Sequence, residues 1–388
     1  MYIDIISKNK YICENDNLIA DGAYANIYEV FNLENTNKQY ILKLQRIKDK
    51  YEAVNEIEVL LKLKKNKQKY IEQLDKLNIS YDKSNYSKII DLENYYIDND
   101  YIYIILEKYE CTLEYFNMLY NKEFKEVLPL NLIKKLINSL FLGIYELHNS
   151  NYIHCDIKPN NILIDLKYKN LKQFIKDIKN KKIKKNDIIK YVDIKIIDFN
   201  KSQTKKNIYK STSVQILYYM APEIILNDKN FNETIDIWSI GIIIYELLAG
   251  EYLFDIYHEN KKNGKHFKNV DLNIKSKTTN EYSNSEYSYN TDNKFEYLSL
   301  LYMYKFILGD NKYVQNYNNK YYLDSKLMGD INNNNYNNNN IISYIANNIN
   351  INNTEFILEI NEIFKKIFIY DYNSRLTAEE FLTKYMFL

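Results

Sequence analysis

The stretch His154-Cys155-Asp156-Ile157-Lys158-Pro159-Asn160-Asn161 sets a carboxylate, an amine and a carboxamide at near-alternate positions of a short segment pinned by proline. Groups so spaced can converge on one small volume, and their types suit phosphate chemistry. Phosphoryl transfer needs a base for the proton of an attacking hydroxyl, a cation for the transferred phosphate and oxygen ligands for Mg2+. Asp156, Lys158 and Asn161 meet those needs in that order. A second metal ligand should follow, and Asp198 offers one at the end of an apolar run that reads as a strand, Ile196-Ile197-Asp198-Phe199-Asn200.

Elements able to position these groups are legible around them. Leu130, Ile133, Ile137, Leu140, Ile144 and Leu147 alternate spacings of three and four behind Pro129, which predicts a helix with a buried face leading to the 154–161 segment. Residues 16–45 read as three strands: one ending at Leu18-Ile19, a second over Tyr28–Phe31 and a third over Tyr40–Leu44, with Lys43 on the third. Tyr51–Lys65 reads as a helix in which Glu56 lies on the side of Ala53 and Leu60 rather than among the lysines. Tyr101–Glu107 alternates as a strand, and one further strand is expected near Ile89. Ile235–Gly250 is apolar but carries Asp236 and Glu246 and is too short to span a bilayer, so it reads as a buried helix.

Composition narrows the classes. A chain of 388 residues can bury a large core, and a net charge of +1 makes the whole molecule no electrostatic magnet for nucleic acid or membrane. Its 3 cysteines, Cys13, Cys111 and Cys155, lack metal-ligand spacing and fit a reducing, intracellular compartment; no zinc is expected. The N-terminus has no basic flank before a long apolar core, so no signal peptide is expected. With 41 tyrosines against 7 glycines and 3 prolines, the composition carries the imprint of an A/T-rich coding sequence, as in a large DNA virus or an A/T-rich protist. Residues 166–190 hold ten lysines against two aspartates, with a helical pattern at Leu171, Phe174, Ile175 and Ile178, and the rest of the chain is correspondingly acidic. The polar runs 255–295 and 309–355, with Asn332–Asn335 and Asn337–Asn340 in the second, have little apolar surface to offset ordering.

The 154–161 segment, followed by Ile162-Leu163-Ile164 and then Asp198-Phe199, resembles the catalytic and metal-binding loops of eukaryotic protein kinases. Ala221-Pro222-Glu223, Asp236-Ile237-Trp238-Ser239-Ile240-Gly241 and Arg375 resemble further motifs of that family in the family's order. The resemblance implies an α+β, bilobal protein kinase fold. Residues 1–106 would form a β-rich N-lobe, and residues 107–388 a helical C-lobe holding the lysine-rich insertion 166–190 and an Asn-rich segment 331–353. It implies ATP and Mg2+ as cofactors, Asp156 and Lys158 as catalytic residues, and Asn161 and Asp198 as metal ligands. ATP would be bound by Ile19, Ala20, Asp21, Gly22, Ala23, Tyr24, Ala25, Asn26, Ile27, Lys43, Glu56, Glu107 and Tyr109, with Leu106 guarding the adenine pocket. It also pairs Glu223 with Arg375 and has Asp236 secure the catalytic-loop backbone.

Within the family, Tyr152–Pro159, the insertion after Asn161, Gly250–Asp255 and Phe306–Gly309 look like the SR-protein kinases of the CMGC group. That resemblance implies a monomeric Ser/Thr kinase acting on protein substrates, with Arg/Ser-rich proteins the candidate class. No direct nucleic-acid binding is expected, the insertion being the weak candidate for it. Four departures stand out: Ala20 and Ala25 replace two glycines of the phosphate loop, Cys155 replaces an arginine, Asn200 a glycine and Ile216 a threonine. Asn is among the few residues that tolerate positive φ, which fits Asn200 to that glycine position. Two classes therefore stay open at this level: an active kinase, and a nucleotide- or protein-binding scaffold of the same fold. Retention of Lys43, Glu56, Asp156, Lys158, Asn161 and Asp198 favours the enzyme.

Overall fold

Alternation of apolar and polar residues over Asn26–Asn32 and Tyr40–Arg46 builds two adjacent strands of a six-stranded antiparallel sheet. The computed structural model describes residues 2–6, 11–21, 25–33, 38–205, 217–225, 230–253, 314–317, 320–323, 353–369 and 371–387. Its strands are β1 (Tyr2–Ile6), β2 (Tyr11–Asp21), β3 (Asn26–Asn32), β4 (Tyr40–Arg46), β5 (Leu92–Ile97) and β6 (Tyr101–Glu107), in spatial order β1-β2-β3-β4-β6-β5. Tyr11, Cys13, Val30, Tyr40, Leu42 and Ile105 close into a buried cluster on one face of the sheet. The first strand of the 16–45 reading thus begins earlier, at Tyr11, and a further strand precedes it. Polar Glu14-Asn15-Asp16-Asn17 hides this, because the β2–β3 register shifts between Cys13 and Leu18 and breaks the alternation there.

One long helix, α1 (Lys50–Lys76), connects β4 to β5. It runs well past the expected end at Lys65. The lysines from Lys62 to Lys69 are polar outward, yet Leu60, Leu63, Tyr70 and Leu74 continue the buried stripe at helical spacing. The strand expected near Ile89 is not one: Ile89 makes an isolated parallel bridge to Ile196, and the strand is β5.

Among the described residues beyond β6, most are helical. Short β7 (Cys111–Thr112) leads to α2 (Leu113–Phe124), whose N-terminus is capped by the Thr112 hydroxyl, and then to α3 (Leu130–Asn149), buried along most of its length. β8 (Tyr152–Ile153) enters the 154–161 segment and β9 (Ile162–Leu166) leaves it. The insertion forms α4 (Leu171–Lys179), capped by Asn170, before β10 (Val192–Ile196) pairs antiparallel with β9. Gly143 lets α3 approach β10 closely: an added Cβ would lie 2.7 Å from the Ile196 side chain. β11 (Gln203–Thr204) pairs with β8.

Helix α5 (Pro222–Ile225) precedes α6 (Thr234–Ala249), in which every residue from Thr234 to Leu248 is buried. A helix apolar on all sides belongs in a protein core, and here it is the core of the helical part. Gly250 ends it at φ 74° and returns its N–H to the Glu246 carbonyl. Strands β12 (Val314–Tyr317) and β13 (Lys320–Leu323) form an antiparallel pair in a separate compact unit, residues 251–347. Residues 1–250 and 348–388 form the other unit, which ends with α7 (Thr354–Ile367) and α8 (Ala378–Lys384). Within it, Phe141 stacks on Phe381 at 3.7 Å between ring centroids, which fixes α8 against α3. The α+β protein kinase fold expected from the sequence is the fold observed: a β-sheet portion bearing α1, followed by a helical portion.

Candidate active site

Strand β4 has no freedom to aim Lys43 anywhere but inward, because Leu42 and Leu44 beside it alternate across the sheet. The buried Lys43 ammonium meets Glu56 Oε2 of α1 at 2.7 Å and Asp198 Oδ1 at 2.8 Å. Burial opposes the charge on Lys43, but the two carboxylates outweigh it and hold the ammonium above its ordinary pKa. Burial likewise opposes ionisation of Asp198, and the Lys43 ammonium overcomes it, so that carboxyl lies below the usual range. Glu56 is buried most deeply of the three. Desolvation pushes its pKa up against the pull of Lys43.

The 154–161 segment is fixed from below by Asp236 at the start of α6. Its carboxylate, fully buried, accepts the backbone N–H groups of His154 at 2.8 Å and Cys155 at 3.0 Å, and lies 2.9 Å from His148 Nε2. Three partners satisfy a buried charge that would otherwise cost several kcal/mol, on the order of the penalty for one desolvated ion. His154 in turn reaches the Ile197 carbonyl at 2.9 Å, tying this segment to the residue before Asp198. Cys155 sits at φ 66°, its thiol buried and kept neutral by desolvation and by Asp236.

Asp156, Lys158 and Asn161 do converge. Lys158 Nζ is 3.0 Å from Asp156 Oδ2, and Asn161 Nδ2 donates to the Asp156 carbonyl at 2.9 Å and to Oδ2 at 3.2 Å. Two acceptors on one side of the Asn161 amide fix its orientation and leave Oδ1 for another partner. Asp156 Oδ1 is buried with no hydrogen-bond partner among the described residues. An orphaned carboxylate oxygen and the remaining carboxamide oxygen are acceptors suited to a hydroxyl and a hard cation. The second oxygen donor, Asp198, adopts φ 69°, so the left-handed residue is Asp198; Asn200, expected there from the glycine it replaces, lies in a 3-10 turn without positive φ. The donor set, carboxylate and carboxamide oxygens without nitrogen or sulfur, fits Mg2+.

Other sequence candidates lie as follows. Ile19 and Ala20 are exposed on β2, and Ala20 pairs with Ile27 and Asp21 with Asn26 across the strand pair. Gly22, Ala23 and Tyr24 lie outside the described residues, as do Ser211, Thr212, Ser213, Ile216, the run 255–295, Phe306–Gly309 and residues 331–352 of the Asn-rich segment. Leu106 is buried and Glu107 ends β6, with Tyr109 two residues on. Arg375, fully buried, grips Glu223 with two bonds of 2.6 and 2.9 Å. Sequence reasoning missed Lys201, whose Nζ is 3.7 Å from Asp156 Oδ2, and Asn55, the residue before Glu56. Neither has a signal beyond its neighbour: an isolated polar residue reads as surface until the fold brings its partner.

The site thus joins Lys43 of the sheet, Glu56 of α1 and Asp198. The family model for the protein kinase domain matches residues 13–387, and the chain belongs to the protein kinase family. Among curated proteins it is similar to the serine/threonine-protein kinase AFC1 of Arabidopsis thaliana, 30% identical over 249 residues, covering 62% of this chain and 48% of the relative. It is also similar to the dual specificity protein kinase lkh1 of Schizosaccharomyces pombe, 27% identical over 252 residues, covering 63% and 32%. A third, calcium-dependent protein kinase 4 of Plasmodium berghei, is 29% identical over 224 residues, covering 56% and 34%. The chain therefore spans less than half the length of each of these relatives.

Proposed function

We propose that this chain is a Ser/Thr protein kinase that transfers the γ-phosphate of ATP to protein hydroxyls. The observation that carries it is the buried ammonium of Lys43, which bridges Glu56 and Asp198. A lysine so held can serve the phosphates of a nucleotide while the carboxylate it touches faces a cation. Asp156 acts as the base, its unpaired Oδ1 taking the proton of the substrate hydroxyl, and Lys158 supplies positive charge to the phosphate in flight. Asn161 and Asp198 would hold Mg2+, which neutralises charge on the phosphates when bound. Ile19–Ile27 would cover the phosphates, and the backbone of Glu107–Tyr109 would meet the adenine. Lys158 two residues after Asp156 supports Ser/Thr over Tyr, and the dual-specificity relative makes tyrosine the alternative to test.

Arg/Ser-rich proteins are the proposed substrate class. Support comes from the motif resemblance and from the acidic balance of the chain outside 166–190, which attracts an arginine-rich peptide over a range set by salt. The test compares kcat/KM on Arg/Ser, acidic Ser-containing and Tyr-containing peptides at low and moderate salt with Mg-ATP. The Arg/Ser peptide is expected to lead, most strongly at low salt; an equal or better rate on the acidic peptide at both salts ends the substrate assignment.

Activity is also proposed to need no phosphate on the segment after Asp198. Cys155 offers no guanidinium to pair with one. Phosphatase treatment should leave peptide phosphorylation unchanged, and a large drop contradicts this.

A further inference from the structure

Asn55 sits on α1 one residue before Glu56, half-buried, and its side-chain amide is aimed at the chain that follows Asp198. Nδ2 lies 3.2 Å from the Phe199 carbonyl, 3.0 Å from that of Asn200 and 2.8 Å from that of Ser202. Two hydrogens serve three acceptors, so the amide is shared among them. Glu56, the next residue of the helix, accepts from Lys43, which also holds Asp198. Neighbouring residues of one helix thus hold the turn, Asn55 by the carbonyls that follow Asp198 and Glu56 through Lys43, directly at the residue with φ 69°. A left-handed aspartate persists only where its surroundings over-determine it.

The helix that carries this amide is itself anchored at its far end. Tyr70 donates to the Leu142 carbonyl of α3 at 3.1 Å, Asn66 Nδ2 to Ser150 Oγ at 3.1 Å, and Gln73 Oε1 accepts from Asn149 at 2.9 Å. Leu74 is fully buried. The extra turns of α1 beyond Lys65 therefore fix its first turns, and with them Asn55, against the helical body that carries Asp156.

We infer that Asn55 is a positioning residue that sets the turn after Asp198, and so the Asp198 carboxylate, before nucleotide or metal arrives. This rests on the kinase reading only for its kinetic consequence. The structural consequence is independent of it.

Asn55→Asp keeps size and shape but replaces the donor with a carboxylate facing three carbonyl oxygens. Asn55→Ala removes the donor and is a better helix former, so a merely structural role on α1 predicts no loss of stability for it. In the nucleotide-free protein, amide hydrogen exchange of residues 199–204 should quicken about tenfold in Asn55→Ala, as expected for losing a net hydrogen bond, and more in Asn55→Asp. Exchange of β10 and of α1 should stay as in the wild type. With Mg-ATP and peptide, kcat should fall on the order of 10²-fold in Asn55→Asp, the scale of a small misplacement, while KM for ATP changes little and the Mg2+ needed for half-maximal rate rises. Unchanged exchange at 199–204, or an increase spread equally along α1 and β10, overturns the inference. A wild-type protein that transfers no phosphate while the variants still loosen 199–204 overturns the kinase reading alone.

Discussion

The 154–161 segment and the 166–190 insertion lie only a few residues apart, separated by β9, yet their charges are handled in opposite ways. In the first, Asp156 is buried among Lys158, Asn161 and Lys201, on a backbone held by the fully buried Asp236. In the second, all ten lysines are exposed, and the fold is held by Leu171, Phe174, Ile175 and Ile178 beneath them. Lys179 and Lys185 reach Glu123 and Glu126, pairs at the surface that contribute little, on the order of 0–1 kcal/mol each. Buried charge here specifies geometry. Exposed charge decorates an apolar anchor.

The comparison breaks first at Arg375. Arg375→Ala would leave Glu223 buried without its partner, and should cost about 3–5 kcal/mol in denaturant unfolding, the range for orphaning a buried ion. A loss below about 1 kcal/mol would mean that Glu223 finds water or protonates cheaply. In the insertion the anchor should matter as much as any charge: Phe174→Ala is expected to cost about 3 kcal/mol or more and to raise proteolysis within 166–190.

Buried carboxyls that form no ion pair among the described residues sharpen the contrast through pH. Burial raises Glu246 to about 8 against a weaker downward pull from the Tyr219 hydroxyl, and burial raises Glu146 to about 7. Each stays protonated in the folded chain at pH values where the unfolded chain has ionised it. The resulting penalty is absent below about pH 4.5, grows as pH rises, and is complete above about 8 for Glu246. Glu246→Gln should therefore melt higher than the wild type at pH 8, with the gap closing toward pH 5; a gap independent of pH contradicts the assignment.

The smallest effect should come from the lysines. Lys172→Glu with Lys176→Glu is expected to change stability by no more than ~0.5 kcal/mol, since neither is buried or paired among the described residues. A larger change would show that the exposed face is not merely solvated.

How much of this was legible follows the same division. The 154–161 groups and α4 could be read because their chemistry or periodicity is local in sequence, and Asp198 and the Glu223–Arg375 pair because the order of motifs resembles the kinase family. The far half of α1 could not, since lysines on its outer face mask a stripe that only α3 completes at Tyr70 and Leu74. Asn55 was silent because its acceptors are backbone carbonyls more than a hundred residues away, which no side-chain pattern records. Positive φ was placed at Asn200 by residue type, whereas the turn puts it at Asp198, where Lys43 and the grip on Phe199 hold the residue.

The central claim is that the buried cluster around Asp156 performs phosphoryl transfer. Asp156→Asn removes the base while keeping its shape, and turnover of a Ser-containing protein substrate with Mg-ATP is the quantity to follow. The account predicts a fall of roughly 10² to 10⁴ in kcat with nucleotide affinity retained. Turnover equal to that of the wild type would contradict it.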